Sequence, residues 1–170
     1  MAAAVGAIAD RSRLGYEVEL AGPVGEINRY ALHPRGRIAV IARTAHGLWR
    51  QIGAVLATGN HAVVIPGGPL AVAPAGLPAV VAARIVWPTQ GLAEVDALAG
   101  ALVEGDADEV AAASRALAAR DGAIVSLHGA SSADVVARAD AYPLDLLCEE
   151  VSVSINTTAA GGNASLMTLA

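Results

Sequence analysis

The single thiol of the chain, Cys148, is the first residue that could do nucleophilic chemistry. Leu146 and Leu147 precede it, and no histidine lies near it in sequence to act as its base. A partly buried structural thiol is therefore the better reading. The four histidines, His33, His46, His61 and His128, are scattered. None forms an H-x-x-x-H pair and there is no C-x-x-C, so no metal centre is expected. His128 follows a strand-like run, where a ligand could sit, but reads more simply as a satisfied loop histidine. Ser126, Ser131 and Ser132 lack the G-x-S-x-G elbow of a serine hydrolase. Glu149 and Glu150 are neighbours, and on a strand neighbouring side chains face opposite ways, so the two carboxyls cannot share a proton. Asp106, Asp108, Glu109 and Asp121 read as helix caps and solvated surface. All 11 basic side chains are arginine. The absence of lysine removes a P-loop lysine, a Schiff-base lysine and a lysine general base.

Dinucleotide binding requires a glycine-rich turn between a first strand and its helix, G-x-G-x-x-G. The corresponding junction is Arg43-Thr44-Ala45-His46-Gly47, with one glycine. Gly67 and Gly68 follow a later strand, but no clear helix begins there to hold a pyrophosphate. The residues therefore offer no convincing catalytic or cofactor-binding constellation, and a domain that acts through its surface is expected.

The elements around these residues alternate. Residues 16–20 and 27–32 are short β-prone runs around Gly22-Pro23-Val24-Gly25, a hairpin signal whose polar faces let it project and pair with something. His33-Pro34-Arg35-Gly36 reads as a second turn, and residues 37–42 as a buried strand. Residues 45–56 form a helix with Leu48, Ile52, Val55 and Leu56 on one face, ended by Thr58-Gly59-Asn60. Residues 62–65 are the next buried strand, which makes a βαβ unit with parallel strands. A Pro/Gly-rich loop follows over 66–78, then a short helix at 79–83 and a strand at 84–87. Strands are expected at 97–103 and 123–127, a capped helix at 106–120 and a helix at 133–141 broken by Pro143. The last strand is 150–155. The result is an α/β fold: a Rossmann-like open, mostly parallel sheet with helices on both faces, plus a projecting hairpin (17–32) and an extended C-terminal strand and tail (150–170).

With 170 residues the chain is expected to be one domain of ordinary size. Its abrupt start, without a helix-cap signal, is expected of a fragment of a longer chain. Much of the hydrophobic fraction of 55% is alanine, and no window offers the roughly 20 strongly apolar residues of a spanning helix. Residues 1–9 lack the basic flank of a signal peptide. A net charge of −5 with no basic stripe argues against nucleic acid and anionic membrane partners. The lone cysteine fits a reducing cytoplasm. The tail carries no charged side chain after Glu150, whereas a loose tail is usually charged and poor in hydrophobics. Its small residues are expected to lie in a groove, its own or a partner's.

Several stretches carry a resemblance. Gly22-Pro23-Val24-Gly25-Glu26-Ile27-Asn28-Arg29-Tyr30 with Pro34-Arg35-Gly36, Leu56-Ala57-Thr58-Gly59-Asn60, Ala118-Ala119-Arg120-Asp121-Gly122-Ala123-Ile124-Val125, and most specifically the run from Asn156 to Met167 are similar to the C-terminal domain of proline utilization A enzymes. That family is bifunctional. The resemblance implies a parent enzyme that oxidises proline with FAD and glutamate semialdehyde with NAD, the intermediate passing through an internal tunnel. It implies that this domain is like the nucleotide-binding half of an aldehyde dehydrogenase, is not itself catalytic, and covers the tunnel by packing on the aldehyde dehydrogenase module, in cis or in trans. The implied contact residues are Gly22, Pro23, Gly25, Glu26, Asn28 and Tyr30 in the hairpin, and Asn156, Thr157, Gly161, Gly162, Asn163, Ser165, Leu166 and Met167 in the tail. Aldehyde dehydrogenases carry a "KP.E" motif for the NAD ribose; the matching text here is Ile65-Pro66-Gly67-Gly68, without the lysine or the glutamate. Their "GQ.C" and "ELGG" motifs are also missing. No cofactor is therefore expected on this chain. Two other readings stand beside this one: a small NAD-dependent aldehyde-oxidising enzyme or NAD-binding domain, against which the missing motif counts, and a free-standing partner of a separate enzyme.

Overall fold

A computed structural model of the chain describes residues 8–23, 25–70 and 72–156. Two sheets organise them. The body is a five-stranded sheet in which every neighbouring pair is parallel. Its strands are β3 (Arg37–Ile41), β4 (His61–Val64), β5 (Ile85–Val86), β6 (Leu98–Glu104) and β7 (Ser126–Ala130), in the order β5-β4-β3-β6-β7. The second sheet is antiparallel and has three strands, β1 (Glu17–Leu20), β2 (Glu26–Pro34) and β8 (Cys148–Asn156). We call it the flap. The chain is thus the expected α/β fold, and its final strand adds to the hairpin rather than to the parallel sheet.

The body follows from its hydrophobic pattern. A strand buried on both faces reads as a continuous apolar run, and successive side chains point to opposite sides. Ile38 and Val40 accordingly pack with Leu48, Ile52 and Val55 of helix α1 (Ala45–Ala57), while Ala39 packs with Val63, Ala101 and Leu117 on the other face. Leu117 belongs to helix α3 (Ala107–Ala118), so helices cover both faces. Each fully buried Leu, Ile or Val contributes about 1.5–3 kcal/mol by leaving water. A short helix α2 (Ala79–Ala82), helix α4 (Ser132–Ala137) and a 3₁₀ turn, Leu144–Leu147, complete the described elements.

Local chemistry sets the helix starts. Asp106 and Glu109 form the expected capping box: the Asp106 carboxylate accepts from Glu109 N at 3.0 Å, and the Glu109 carboxylate accepts from Asp106 N at 2.9 Å. Ser131 Oγ caps α4, accepting from Asp134 N. Several boundaries differ from the sequence reading. The strand expected at 123–127 lies at 126–130, and Ile124 is 98% exposed. The shift has a cause: Arg120 holds the carbonyls of Leu92, Ala93 and Val95, so the chain needs several residues to return beside β6. Helix α4 ends at Ala137, short of 141, and the 3₁₀ turn that follows was not foreseen. The expected hairpin is longer, running to Pro34, and one of its edges is covered by β8 over nine paired positions, from Glu26 opposite Asn156 to Pro34 opposite Cys148.

Candidate functional site

Strand order reverses between β3 and β6, because the chain winds outward from β3 through β4 to β5 and returns to build β6 and β7. In open α/β sheets ligands bind at such a switch point, beyond the carboxyl ends of the strands and against a helix N-terminus. An open crevice of about 450 Å³ lies there, lined by Arg43, Pro66, Gly68, Glu104 and Glu109 among others. Gly67 has φ +101°, and a Cβ on Gly68 would meet Ala42 O at 2.9 Å, so both glycines are required by the turn that shapes one wall.

The segment leading into α1 borders this crevice at Arg43, and the Glu104 carboxylate already lies against the start of the helix. Glu104, the last residue of β6, is 1% exposed. Its carboxylate accepts hydrogen bonds from Arg43 N and Thr44 N at 2.9 Å each and from Thr44 Oγ1 at 2.8 Å. Thr44 Oγ1 in turn accepts from Gly47 N, which caps the helix. Burial alone would push the Glu104 carboxyl up. Hydrogen bonds from the Thr44 amide and hydroxyl, the Ser132 hydroxyl and the Arg43 amide outweigh it and hold the group below the usual carboxylate range. A Cβ on Gly47 would come within 1.9 Å of the carboxylate, so only glycine fits beneath it. Arg43 is engaged as well, pairing with Glu109 at 2.6 Å across the mouth. Glu104 was missed in the sequence reading. Its signal was an ionisable residue ending an apolar strand at a switch point.

The other candidates are dispersed. Cys148 is buried, and burial followed by the nearby Asp145 charge pushes its thiol up, opposite to an activated nucleophile. His33, His46 and His61 are exposed, and burial followed by the Arg35 charge lowers His128. Among the described residues no group of three or more His, Cys, Asp or Glu side chains is placed to hold a metal ion. Ser131 caps a helix and Ser132 serves Glu104. Glu150 accepts from Tyr30 Oη at 2.9 Å, and this bond is the main reason the phenol is raised.

The flap gathers most of the described contact candidates. Glu26, Asn28 and Tyr30 lie on β2, with Gly22, Pro23 and Gly25 in the preceding connection, where Glu26 N donates to Pro23 O and Gly25 has φ +93°. Asn28 Oδ1 accepts from Ser154 Oγ at 2.5 Å. A Cβ on Gly22 would meet Asn28 Nδ2 at 2.4 Å. Asn156 ends β8, and Thr157, Gly161, Gly162, Asn163, Ser165, Leu166 and Met167 lie outside the described residues. Val153 and Ile155 are 46% and 42% exposed on a strand at the sheet's edge. No described helix is long and apolar enough to cross a membrane.

No family model matches the chain. The bifunctional protein PutA of Rhizobium meliloti is 47% identical over 158 residues, which are 93% of this chain and 13% of that protein. The chain thus spans about an eighth of that relative's length, 13%. A crystal structure of Bradyrhizobium japonicum proline utilization A superposes with a TM-score of 0.55 at 25% identity, covering 75% of this chain and 15% of that one. A putative aldehyde dehydrogenase from Burkholderia cenocepacia gives a TM-score of 0.50 at 18% identity over 74% of this chain and 28% of its own, a likeness of fold. Over nearly its whole length the chain is homologous to a segment of the bifunctional proline utilization A proteins, and it carries the α/β fold they share with aldehyde dehydrogenases.

Proposed function

We propose that this chain is a non-catalytic domain of a bifunctional, cytoplasmic proline-catabolic enzyme, docking on that enzyme's aldehyde dehydrogenase module and covering the tunnel that carries the intermediate between its two active sites. In this reading residues 1–170 act as one unit. FAD and NAD serve the parent's proline and glutamate semialdehyde oxidations, and neither is held here. Gly22, Pro23, Gly25, Glu26, Asn28 and Tyr30 of the flap meet the module, in cis or in trans. Asn156, Thr157, Gly161, Gly162, Asn163, Ser165, Leu166 and Met167 line the contact along the tail.

The observation that carries the reading is the Glu104 carboxylate in the first turn of α1. A dinucleotide's diphosphate approaching that turn would meet a buried anion packed against Gly47. With that position filled from within, the domain is left with its surface. The exposed Val153 and Ile155 on an edge strand supply a surface of the right kind.

The test is transient kinetics on the full parent enzyme truncated after Asn156. Loss of the cover predicts a lag in glutamate formation and release of the intermediate to solvent. A truncated enzyme that forms glutamate without a lag would overturn the proposal.

A further inference from the structure

The run Leu56-Ala57-Thr58-Gly59-Asn60 does no chemistry, yet its last residue is fully buried. Asn60 follows α1 at the place where flap and body meet. Among the described residues the chain passes between them three times: through residues 11–16 into β1, through Arg35 and Gly36 from β2 to β3, and from Leu147 of the 3₁₀ turn to Cys148 of β8. Asn60 grips the last two together. Its Oδ1 accepts from Gly36 N at 2.7 Å, and its Nδ2 donates to Leu147 O at 2.8 Å and to Thr58 Oγ1 at 2.8 Å. Thr58 Oγ1 is anchored in turn on the carbonyls of Ala54 and Val55. Backbone bonds from Asn60 N to Val55 O and from His61 N to Gly36 O close the joint, and the Arg35 side chain adds a bond from Nε to Cys148 O.

We propose that Asn60 is the positioning residue of the docking surface: one buried amide that fixes the angle at which the flap leaves the body. The two ends of the amide are distinguished by what they face, a donor at Gly36 and an acceptor at Leu147. Only a side chain with both an acceptor and a donor in a planar fork of this length meets both. Aspartate keeps the bond to Gly36 and sets a charge against the Leu147 carbonyl; alanine keeps neither. Aspartate leaves the Leu147 carbonyl without its donor, alanine also leaves Gly36 N without its acceptor, and Gly36, at φ +124°, is a place where the chain can swing. This inference rests on the reading of the flap as the docking face.

The experiment is made on the 170-residue chain, with spin labels at Glu19→Cys on β1 and Ala112→Cys on α3 and the buried Cys148 left in place. The wild type is expected to give one narrow flap-to-body distance. Asn60→Asp and Asn60→Ala are expected to broaden or shift it while the β2–β8 amides stay protected from hydrogen exchange. Val135→Ala, a core truncation in α4 that removes none of the joint's hydrogen bonds, is expected to lower the melting temperature and leave the distance narrow. A narrow, unshifted distance in both Asn60 variants would reduce the residue to ordinary core. Should the variants not fold, the wild type still decides: Gly36 N must exchange as slowly as the β2–β8 ladder, and fast exchange there would overturn the proposal. Because no partner is present, failure here leaves the docking reading standing; failure of that reading appears instead as unchanged kinetics in the truncated parent.

Discussion

Glu104 is the residue on which the nature of the crevice depends. Its carboxylate satisfies two backbone amides and a hydroxyl at the start of α1. Glu104→Ala is expected to cost about 2–4 kcal/mol in denaturant unfolding, since charged hydrogen bonds are lost and buried donors are orphaned. The pH dependence has a definite sign. The folded carboxyl lies below its ordinary value. Its stabilisation is therefore complete above the unfolded value of about 4.3 and is lost as pH falls through the folded value. Wild type should lose stability on acidification more steeply than Glu104→Gln, whose side chain does not titrate; parallel curves would show that the charge contributes nothing. Calorimetric titration of the chain with NAD is expected to show no saturable binding at millimolar cofactor. Saturable binding would mean that Glu104 leaves its place, and would return Cys148 to consideration.

At the scale of elements, the parts with local causes were readable. The capping box of α3, the turn at Gly25 and the amphipathic face of α1 are each set by residues a few positions apart. The Gly59 turn belongs with them, though its full cost is tertiary. Gly59 has φ +74°, and an added Cβ would meet Pro34 Cγ at 2.9 Å and Leu14 Cδ2 at 3.0 Å. Gly76 has φ +83° and open space around it. Gly76→Ala is expected to cost about 1 kcal/mol from backbone strain, and Gly59→Ala about 2–3 kcal/mol from strain and crowding at the joint. Equal losses in thermal melts would mean that Pro34 and Leu14 move aside freely. The β7 strand was misplaced by three residues because the run Ala123–Val125 is apolar and local pattern alone cannot see Arg120 reaching back to residues 92–95.

For the molecule as a whole, the proposed docking face belongs to the flap and the large apolar core to the body. Val153 and Ile155 share one face of the flap with their cross-strand partners Arg29 and Ile27. Val153→Lys with Ile155→Lys is expected to leave the melting temperature of the chain nearly unchanged, because both side chains are already more than a third exposed, and to abolish its association with the rest of the parent enzyme in a trans-binding assay. Intact association would place the docking face elsewhere. By itself the sequence determined the α/β class, the parallel sense of the body strands, the capping box of α3, the hairpin and the family resemblance, because each is written in spacings along the chain or in short motifs. Tertiary structure alone decided that β8 joins the hairpin instead of the body, that Glu104 fills the first turn of α1 from 60 residues away in sequence, and that Asn60 ties residues 36 and 147 together. Those three depend on which distant backbone groups must find hydrogen-bond partners once buried, and no local pattern records that choice.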